Sequence, residues 1–494
     1  MAEKLATRVE KLTGLLEVSK AMASERNLDT LLRLIAHEVT KVMEAERSSI
    51  FVVDREKQEL WSRVAEGLDV WEIRVKLGTG IAGAVAQTGI ILNIPDAYAD
   101  PRFDPETDRR TGFRTRNVLC TPMLNKFNEA IGVIQVLNKE GNFTREDEEL
   151  LLAFCGQAAA ALENTLLYEE IQSLFEGFIT ASVFAIESRD PTTSGHSERI
   201  AVLMVAFAEQ INRTEIGPHA SAFFSLAEIR EIRYAALLHD FGKLALDAAL
   251  LVKANKLTDA DLDALSHRFK FIRRTIENEF LKRKVAVAVA QGPNADFSKL
   301  DHDLQQGLTD LEEKFRFVQE ANQPGSLAKG MVEQILEIAD GTYQDVDGTH
   351  QPYLTSKEVG NLSIPKGSLN PEERLEIESH VTNTYRFLRR IPWIQGLRGI
   401  PGIAYAHHER VDGSGYPRGL QDDDIPLPSK MMAICDIYDS LTASDRPYKR
   451  AVAPELALDV LQSEANAGRL DPELVRIFCE SKIWALSLSL RPQR

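Results

Sequence analysis

Apolar residues in the first part of the chain recur at threes and fours. Leu5, Val9, Leu12, Leu16 and Met22 fall near one face and predict a helix over residues 1–25. A second helix is predicted over about 28–45, N-capped near Asn27. The pattern then turns to short apolar runs. Residues 48–53 read as a strand, and 60–64, 71–75, 91–94, 119–124 and 130–137 add further strands. Gly78-Thr79-Gly80-Ile81-Ala82-Gly83 lacks the Gly-Lys-Ser/Thr ending of a phosphate loop, so it is read as a glycine turn leading into a short helix. Together these predict an α+β domain over residues 26–160, an antiparallel sheet flanked by helices. From 145 to 188 the period returns to helical, with Leu151, Phe154, Ala158, Ala161, Leu162, Leu166, Ile171, Leu174 and Phe178 in the stripe. A helix this long, leaving one domain for the next, is expected to bury its stripe against a second copy of itself, which predicts a parallel homodimer. Beyond residue 180 the chain is mostly helical.

At 494 residues the chain exceeds a single core and calls for two or three domains. Its 58 basic against 74 acidic residues, a net charge of -16, argue against non-specific binding of long nucleic acid. Cys120, Cys155, Cys435 and Cys479 lie far apart in mostly apolar surroundings, as buried thiols of a reducing compartment do. The N-terminus has no signal-peptide pattern. No stretch reads as apolar for the ~20 residues of a spanning helix. A cytoplasmic protein with no membrane partner is expected.

Four segments hold candidate metal ligands: Glu187 to Ser197 around His196, Leu237 to Lys243 around His239-Asp240, Glu376 to His380, and His407-His408 on to Asp436-Ile437-Tyr438-Asp439. Adjacent histidines point apart from one backbone, so His407 and His408 serve one site only at a bend or around more than one ion. Imidazole with carboxylate suits borderline divalent ions such as iron, manganese or zinc. Any one of these histidines alone is more often a core or surface residue.

Two resemblances gather these signals. Gly78 to Gly83, Asn93 to Phe103 and Gly132 to Lys139 resemble a GAF domain, a small-molecule sensor fold. Asn138, Lys139, Phe143 and Asp147 also match a pattern found in GAF domains that bind cyclic nucleotides. A Lys139–Asp147 ion pair bracing the last strand is the reading placed ahead of ligand contact, with a cyclic nucleotide or other small ligand as the sensor's partner. Residues 180–494 resemble the HD-GYP branch of the HD phosphohydrolases, through His239-Asp240 with Lys243, His407-His408-Glu409 to Gly415-Tyr416-Pro417, Ile425-Pro426-Leu427, and Asp436 with Arg446-Pro447-Tyr448-Lys449.

That resemblance implies an all-α domain hydrolysing cyclic di-GMP to pGpG, or on to GMP. It implies His196, His239, Asp240, His380, His407, His408 and Asp436 as metal ligands, with Asp240 bridging. His239, Asp240 and Lys243 are the implied catalytic set, and Lys243, Tyr416, Arg446 and Lys449 the substrate contacts. Two divalent ions are expected, iron or manganese first, with zinc, nickel or magnesium as alternatives. Some members carry a glutamate four residues before the first histidine that supports a third ion; here that position is Thr192. The histidine of the third segment has two candidates, His267 and His380. They lie ten and eleven residues after the leucine of a similar lead, and one residue is a turn of about 100° on a helix. The family spacing of eleven favours His380, which leaves an insertion at about 268–360, mainly helical over 297–339 and followed by a loop at 341–352. Two other readings stay open: an HD phosphohydrolase for another cyclic dinucleotide or a nucleotide, and a non-catalytic messenger-binding scaffold.

Overall fold

A computed structural model describes residues 17–62, 73–190, 194–443 and 451–490. The first sixteen residues of the expected N-terminal helix and the start of the third expected strand lie outside them; residues 17–24 are helical. The chain divides into two units, within one helix, between Gly177 and Phe178.

In the first unit, helix α1 (Leu28–Val42) starts where Asn27 accepts a hydrogen bond from Thr30 N, satisfying one of the free amides of the first turn. Strands β1 (Ala45–Asp54), β2 (Glu59–Ser62) and β3 (Ile73–Lys76) follow, then helix α2 (Gly80–Thr88), β4 (Leu92–Ile94), β5 (Val118–Leu124) and β6 (Ala130–Lys139). They form one antiparallel sheet in the order β3-β2-β1-β6-β5-β4. Side chains alternate across it, as strand geometry requires. Ile50, Val52, Leu119, Met123, Ile134 and Val136 face a layer made by α1 and the start of the long helix that begins at Arg145. Phe51, Val118, Cys120, Val133 and Leu137 face α2. The glycine run becomes a close-packed turn: a Cβ on Gly83 would lie 2.6 Å from Lys76 O.

Helix α3 (Arg145–Arg189) is 45 residues long, roughly 67 Å. The expectation that its stripe finds no cover within the chain is corrected for the first half: Leu151, Phe154, Ala158, Ala161 and Leu162 are buried in the sheet-and-helix core. Farther on, Leu167, Ile171 and Leu174 stand 49%, 64% and 76% exposed. The absence of any stretch apolar enough to span a membrane is also corrected. By length and composition alone, α3 holds one 18-residue window that qualifies, 44% of it buried.

The second unit is helical. It contains α4 (His196–Asn212), α5 (Leu226–Leu238), α6 (Asp259–Gln291), α7 (Ser298–Ala321), α8 (Met331–Ala339), α9 (Ser356–Leu362), α10 (Pro371–Leu388), α11 (Ile400–Tyr405), α12 (Leu427–Thr442), α13 (Pro454–Asn466) and α14 (Pro472–Glu480). Helices α6 to α9 make a lobe with its own core, from Leu257 and Leu265 through Leu311 and Ile335 to Leu362. The expected loop at 341–352 is instead a hairpin of β7 (Thr342–Gln344) and β8 (His350–Pro352). The lobe is rooted beside α10: Asn370 Nδ2 donates to Asn361 Oδ1 at 2.9 Å, and Lys253 Nζ meets Glu373 at 2.6 Å.

Candidate metal centre

Five segments of the second unit converge. Helix α4 begins at His196. Helix α5, started by a Ser225–Glu228 capping box, ends at His239. Asp240 follows, and a tight turn from Phe241 to Ala245 carries Lys243. Helix α10 brings His380, α12 brings Asp436, and His407-His408 sit just past the end of α11. Gly242 lets the turn lie on α10; any Cβ there would run into His380 O and Thr384 N. Thr384 fastens the contact, its Oγ1 donating to His239 O at 3.0 Å and accepting from Gly242 N at 2.8 Å.

The imidazoles are aimed by their Nδ1 atoms. His239, His380 and His407 each place Nδ1 on the carbonyl three residues back, at 2.7, 2.6 and 2.7 Å. Nδ1 therefore carries the proton and donates, and Nε2 offers its lone pair to the space between the helices. His380 and His407 leave Nε2 buried with no hydrogen-bond partner. Such an atom calls for a cation or water to satisfy it. Three groups each bring their ligand atoms within 4.8 Å of one another: His196, His239 and Asp436; His239, Asp240 and His407; His380, His407 and His408. Asp240 stands between the outer two. Its Oδ1 is 3.2 Å from His380 Nε2, without the alignment of a hydrogen bond, and its Oδ2 is 3.5 Å from His239 Nε2. The chemistry of these donors could hold a divalent cation, and the Asp240 carboxylate lies between the two outer groups.

Electrostatics favour the same use. Burial pushes His239 and His407 below the usual imidazole range, and His408 down to about 4, so they are neutral donors at pH 7. Burial also works against the ionised carboxyls. Lys243 overrides it at Asp240, and the hydrogen bond from His196 overrides it at Asp436, holding both well below the usual range. Lys243 Nζ lies 2.7 Å from Asp240 and 3.3 Å from Asp190; these charges overcome its burial and keep it protonated. His196 is the exception. Burial opposes its charge, but hydrogen bonds to Asp436 and Asp439 lift it to about 9.

His196 is therefore protonated at neutral pH, and a cation held at its Nε2 would have to displace that proton. That proton stabilises the metal-free fold below the unfolded value of about 6.5, and the contribution is lost as pH rises through about 9. Metal affinity runs the opposite way, gaining about tenfold per pH unit up to that point. Calorimetric uptake of Mn²⁺ in buffers of differing ionisation enthalpy is expected to show about one proton released per chain at pH 7.5. No release would contradict a protonated His196.

Tyr416 lies against His408, its ring tilted by 34° with centroids 4.8 Å apart. Buried Glu409 fixes the loop that carries it, accepting from Arg418 N and Leu420 N at 2.9 Å each. His267 is exposed on α6, in the inserted lobe, and joins none of these groups. Arg446, Lys449 and Thr192 lie outside the described residues. In the first unit, Lys139 Nζ is 2.8 Å from Asp147 Oδ1 and 3.1 Å from Met43 O, and Phe143 is buried. Asn138 binds the Arg114 carbonyl and Glu46. None of these four lines the unit's cavity, which lies on the α2 face of the sheet. The cavity measures about 170 Å³ and is lined by Arg47, Phe51, Phe103, Asp108, Phe113 and Gln135 among others.

The sequence places Asp190 and Asp439 in candidate ligand segments without an individual role and singles out neither Arg199 nor Thr384. One signal was present: Asp436 and Asp439 are three apart on a helix, hence on one face.

Comparison with known proteins follows the two units. The GAF domain family matches residues 27–162, and the HD domain family matches residues 355–474. The second match begins at the last helix of the inserted lobe, so it takes in His380, His407, His408 and Asp436 but not His239-Asp240. Among curated proteins, a probable 3',5'-cyclic phosphodiesterase, pde-5, of Caenorhabditis elegans is 33% identical over 186 residues, in a match taking in 34% of this chain. The chain spans only 25% of that relative's length. Among solved structures, the GAF domain of a phosphoenolpyruvate-protein phosphotransferase (ptsP) from Coxiella burnetii is 22% identical, with 32% of this chain and 96% of that one covered and a TM-score of 0.30. The GAF domain of an Acinetobacter phosphoenolpyruvate-protein phosphotransferase is also 22% identical, with 33% and 98% covered and a TM-score of 0.29. The chain carries a GAF domain in its N-terminal unit and an HD domain in its C-terminal unit.

Proposed function

We propose that the chain is a metal-dependent phosphodiesterase of the HD-GYP kind that hydrolyses cyclic di-GMP to pGpG, under control of a small ligand in the GAF domain. One observation carries the reading: buried, unpartnered His380 and His407 nitrogens share a pocket with His239 and Asp240, beside a second cluster of His196 and Asp436. Two divalent ions there, when bound, supply a hydroxide at neutral pH and positive charge against a phosphate's oxygens.

The protein's own residues do the rest. His196, His239 and Asp436 would hold one ion, His380, His407 and His408 the other, and Asp240 would offer one oxygen to each. Lys243, charged and pinned between Asp240 and Asp190, adds a fixed positive charge for the non-bridging oxygens. Tyr416 keeps its phenolic proton, its pKa raised further by burial and the nearby Asp436, so its hydroxyl can donate a hydrogen bond to a phosphate oxygen. The glycine loop, held by Glu409, sets the ring at the rim against a substrate phosphate or base. Arg446 and Lys449 are proposed for the second phosphate. A cytoplasmic site of action belongs to the same reading, and all four cysteines are free.

The test is a substrate panel on manganese-loaded full-length protein: cyclic di-GMP, other cyclic dinucleotides, cyclic GMP, cyclic AMP and nucleotide monoesters. Turnover of cyclic di-GMP to pGpG above all others is expected. Preferred turnover of a mononucleotide would overturn the substrate, and tight binding without turnover would leave the scaffold reading.

We also infer a parallel homodimer along α3. Leu167, Ile171, Leu174 and Phe178 are exposed and spaced four, three and four apart, the seam of a two-stranded coil, with Asn164 three residues before Leu167 in the same phase. Replacing Ile171 and Leu174 together by glutamate is expected to convert the dimer to a monomer in sedimentation at micromolar concentration. A wild-type monomer would refute the inference.

A further inference from the structure

The two poles of the metal centre are not built alike. His239, His380 and His407 rest Nδ1 on backbone carbonyls, whereas His196 places Nδ1 on a carboxylate, 2.8 Å from Asp439 Oδ2. Asp439 is fully buried and clamped by Arg199, whose Nε donates to Oδ1 at 2.7 Å and Nη2 to Oδ2 at 2.9 Å. Arg199 is itself fixed, its Nη1 donating to Ser194 O at 3.0 Å. A charged acceptor behind an imidazole makes its other nitrogen a stronger donor than a carbonyl does, and it locks the ring's orientation. The pole with His196 and His239 also holds Asp436, 3.3 Å from His196 Nε2. Opposite it, His380, His407 and His408 supply three imidazoles, and the carboxylate nearest them is the shared Asp240, 3.2 Å from His380 Nε2.

We propose that Asp439 is a positioning residue for His196 and that the chain holds two inequivalent cation sites. The His196–His239–Asp436 site fills first and tightest. The three-imidazole site fills second and releases its ion first. The donor types also sort the ions: the carboxylate-containing pole accepts manganese readily, while the imidazole pole favours zinc, nickel or ferrous iron. This inference rests on the two-cation reading of the centre but not on any reaction.

The test is calorimetric titration of chelator-stripped full-length protein with Mn²⁺ alone, with elemental analysis of the product. Wild type is expected to bind two ions in separate steps at least about tenfold apart. Asp439→Asn, close to isosteric, should weaken the first step about 10–100-fold and leave the second within about twofold. His408→Asn, at a half-buried position, gives the reciprocal result and stands if Asp439→Asn fails to fold: the first step persists and the second disappears. Two equal steps in wild type, or equal weakening of both steps by Asp439→Asn, would overturn the inequivalence while leaving the two-cation centre standing. A merely structural Asp439 would lower the melting temperature without changing either step, which also overturns it. Binding of one ion or none would remove the two-cation reading and this inference with it. Turnover is not the readout, so failure to hydrolyse cyclic di-GMP would leave the result untouched.

Discussion

Asp240→Ala is expected to strip both cations and to lower phosphodiester hydrolysis by at least about 10³-fold, because losing metal activation removes several kcal/mol of transition-state stabilisation. Asp240 lies closest to both poles, its oxygens 3.2 Å from His380 and 3.5 Å from His239, whereas Asp436 is 3.3 Å from His196 but 3.9 Å from His408. The change also takes from Lys243 its nearer carboxylate, leaving the ion pair with Asp190 at 3.3 Å. Losing one partner of a buried charge pair costs up to about 3–5 kcal/mol. Asp240→Asn separates the two effects. It keeps the side chain's volume and should fold more stably than the alanine variant, yet it should still lose most of the metal. Elemental analysis and a thermal melt on both variants check this, and metal retained at the wild-type level in either one would contradict a bridging carboxylate.

Gly242→Ala is expected to damage the centre without touching a ligand. The added Cβ would fall on backbone atoms of α10, His380 O and Thr384 N, which cannot rotate aside as a side chain can. The turn carrying Asp240 and Lys243 must then draw back from the helix carrying His380. It loses the Gly242 N to Thr384 Oγ1 bond of 2.8 Å as it does so. Overpacking of this kind costs about 1–3 kcal/mol, and more where backbone must move. Affinity for the cation at the His380 pole should fall together with the melting temperature. Gly360→Ala, with no atom within 4 Å of the added methyl, is the control and should be neutral or slightly stabilising. A Gly242→Ala variant that melts like wild type and binds metal normally would show that turn and helix are not in the contact described.

Much of the architecture was legible in the sequence because its signals are local. Short apolar runs around Ile50 and Ile134 mark strands of the sheet, and Asn27 marks the start of α1 where its side chain caps Thr30 N. The metal-ligand segments were legible because His-Asp and His-His pairs stand beside glycine turns. Whether such distant segments meet is a matter of tertiary packing, which periodicity does not encode. That is why Thr384, a plain polar residue one turn beyond His380, went unassigned although it ties two ligand segments together. Asp439 was overlooked for a related reason: its role lies in facing His196 from another helix. The hairpin at 342–352 was read as a loop because its strands are three residues each, too short for alternation to register. The cover over the first half of the α3 stripe was missed because a helical stripe looks the same whether a sheet or a second helix buries it.

The central claim is that imidazoles and carboxylates from five segments hold a pair of cations that the chemistry requires. Its most direct test is to strip full-length protein with a chelator, restore it with manganese, and measure bound metal and cyclic di-GMP cleavage on the same samples. The account predicts two ions per chain and cleavage that vanishes on stripping and returns with the metal. Undiminished cleavage by fully stripped protein would contradict it.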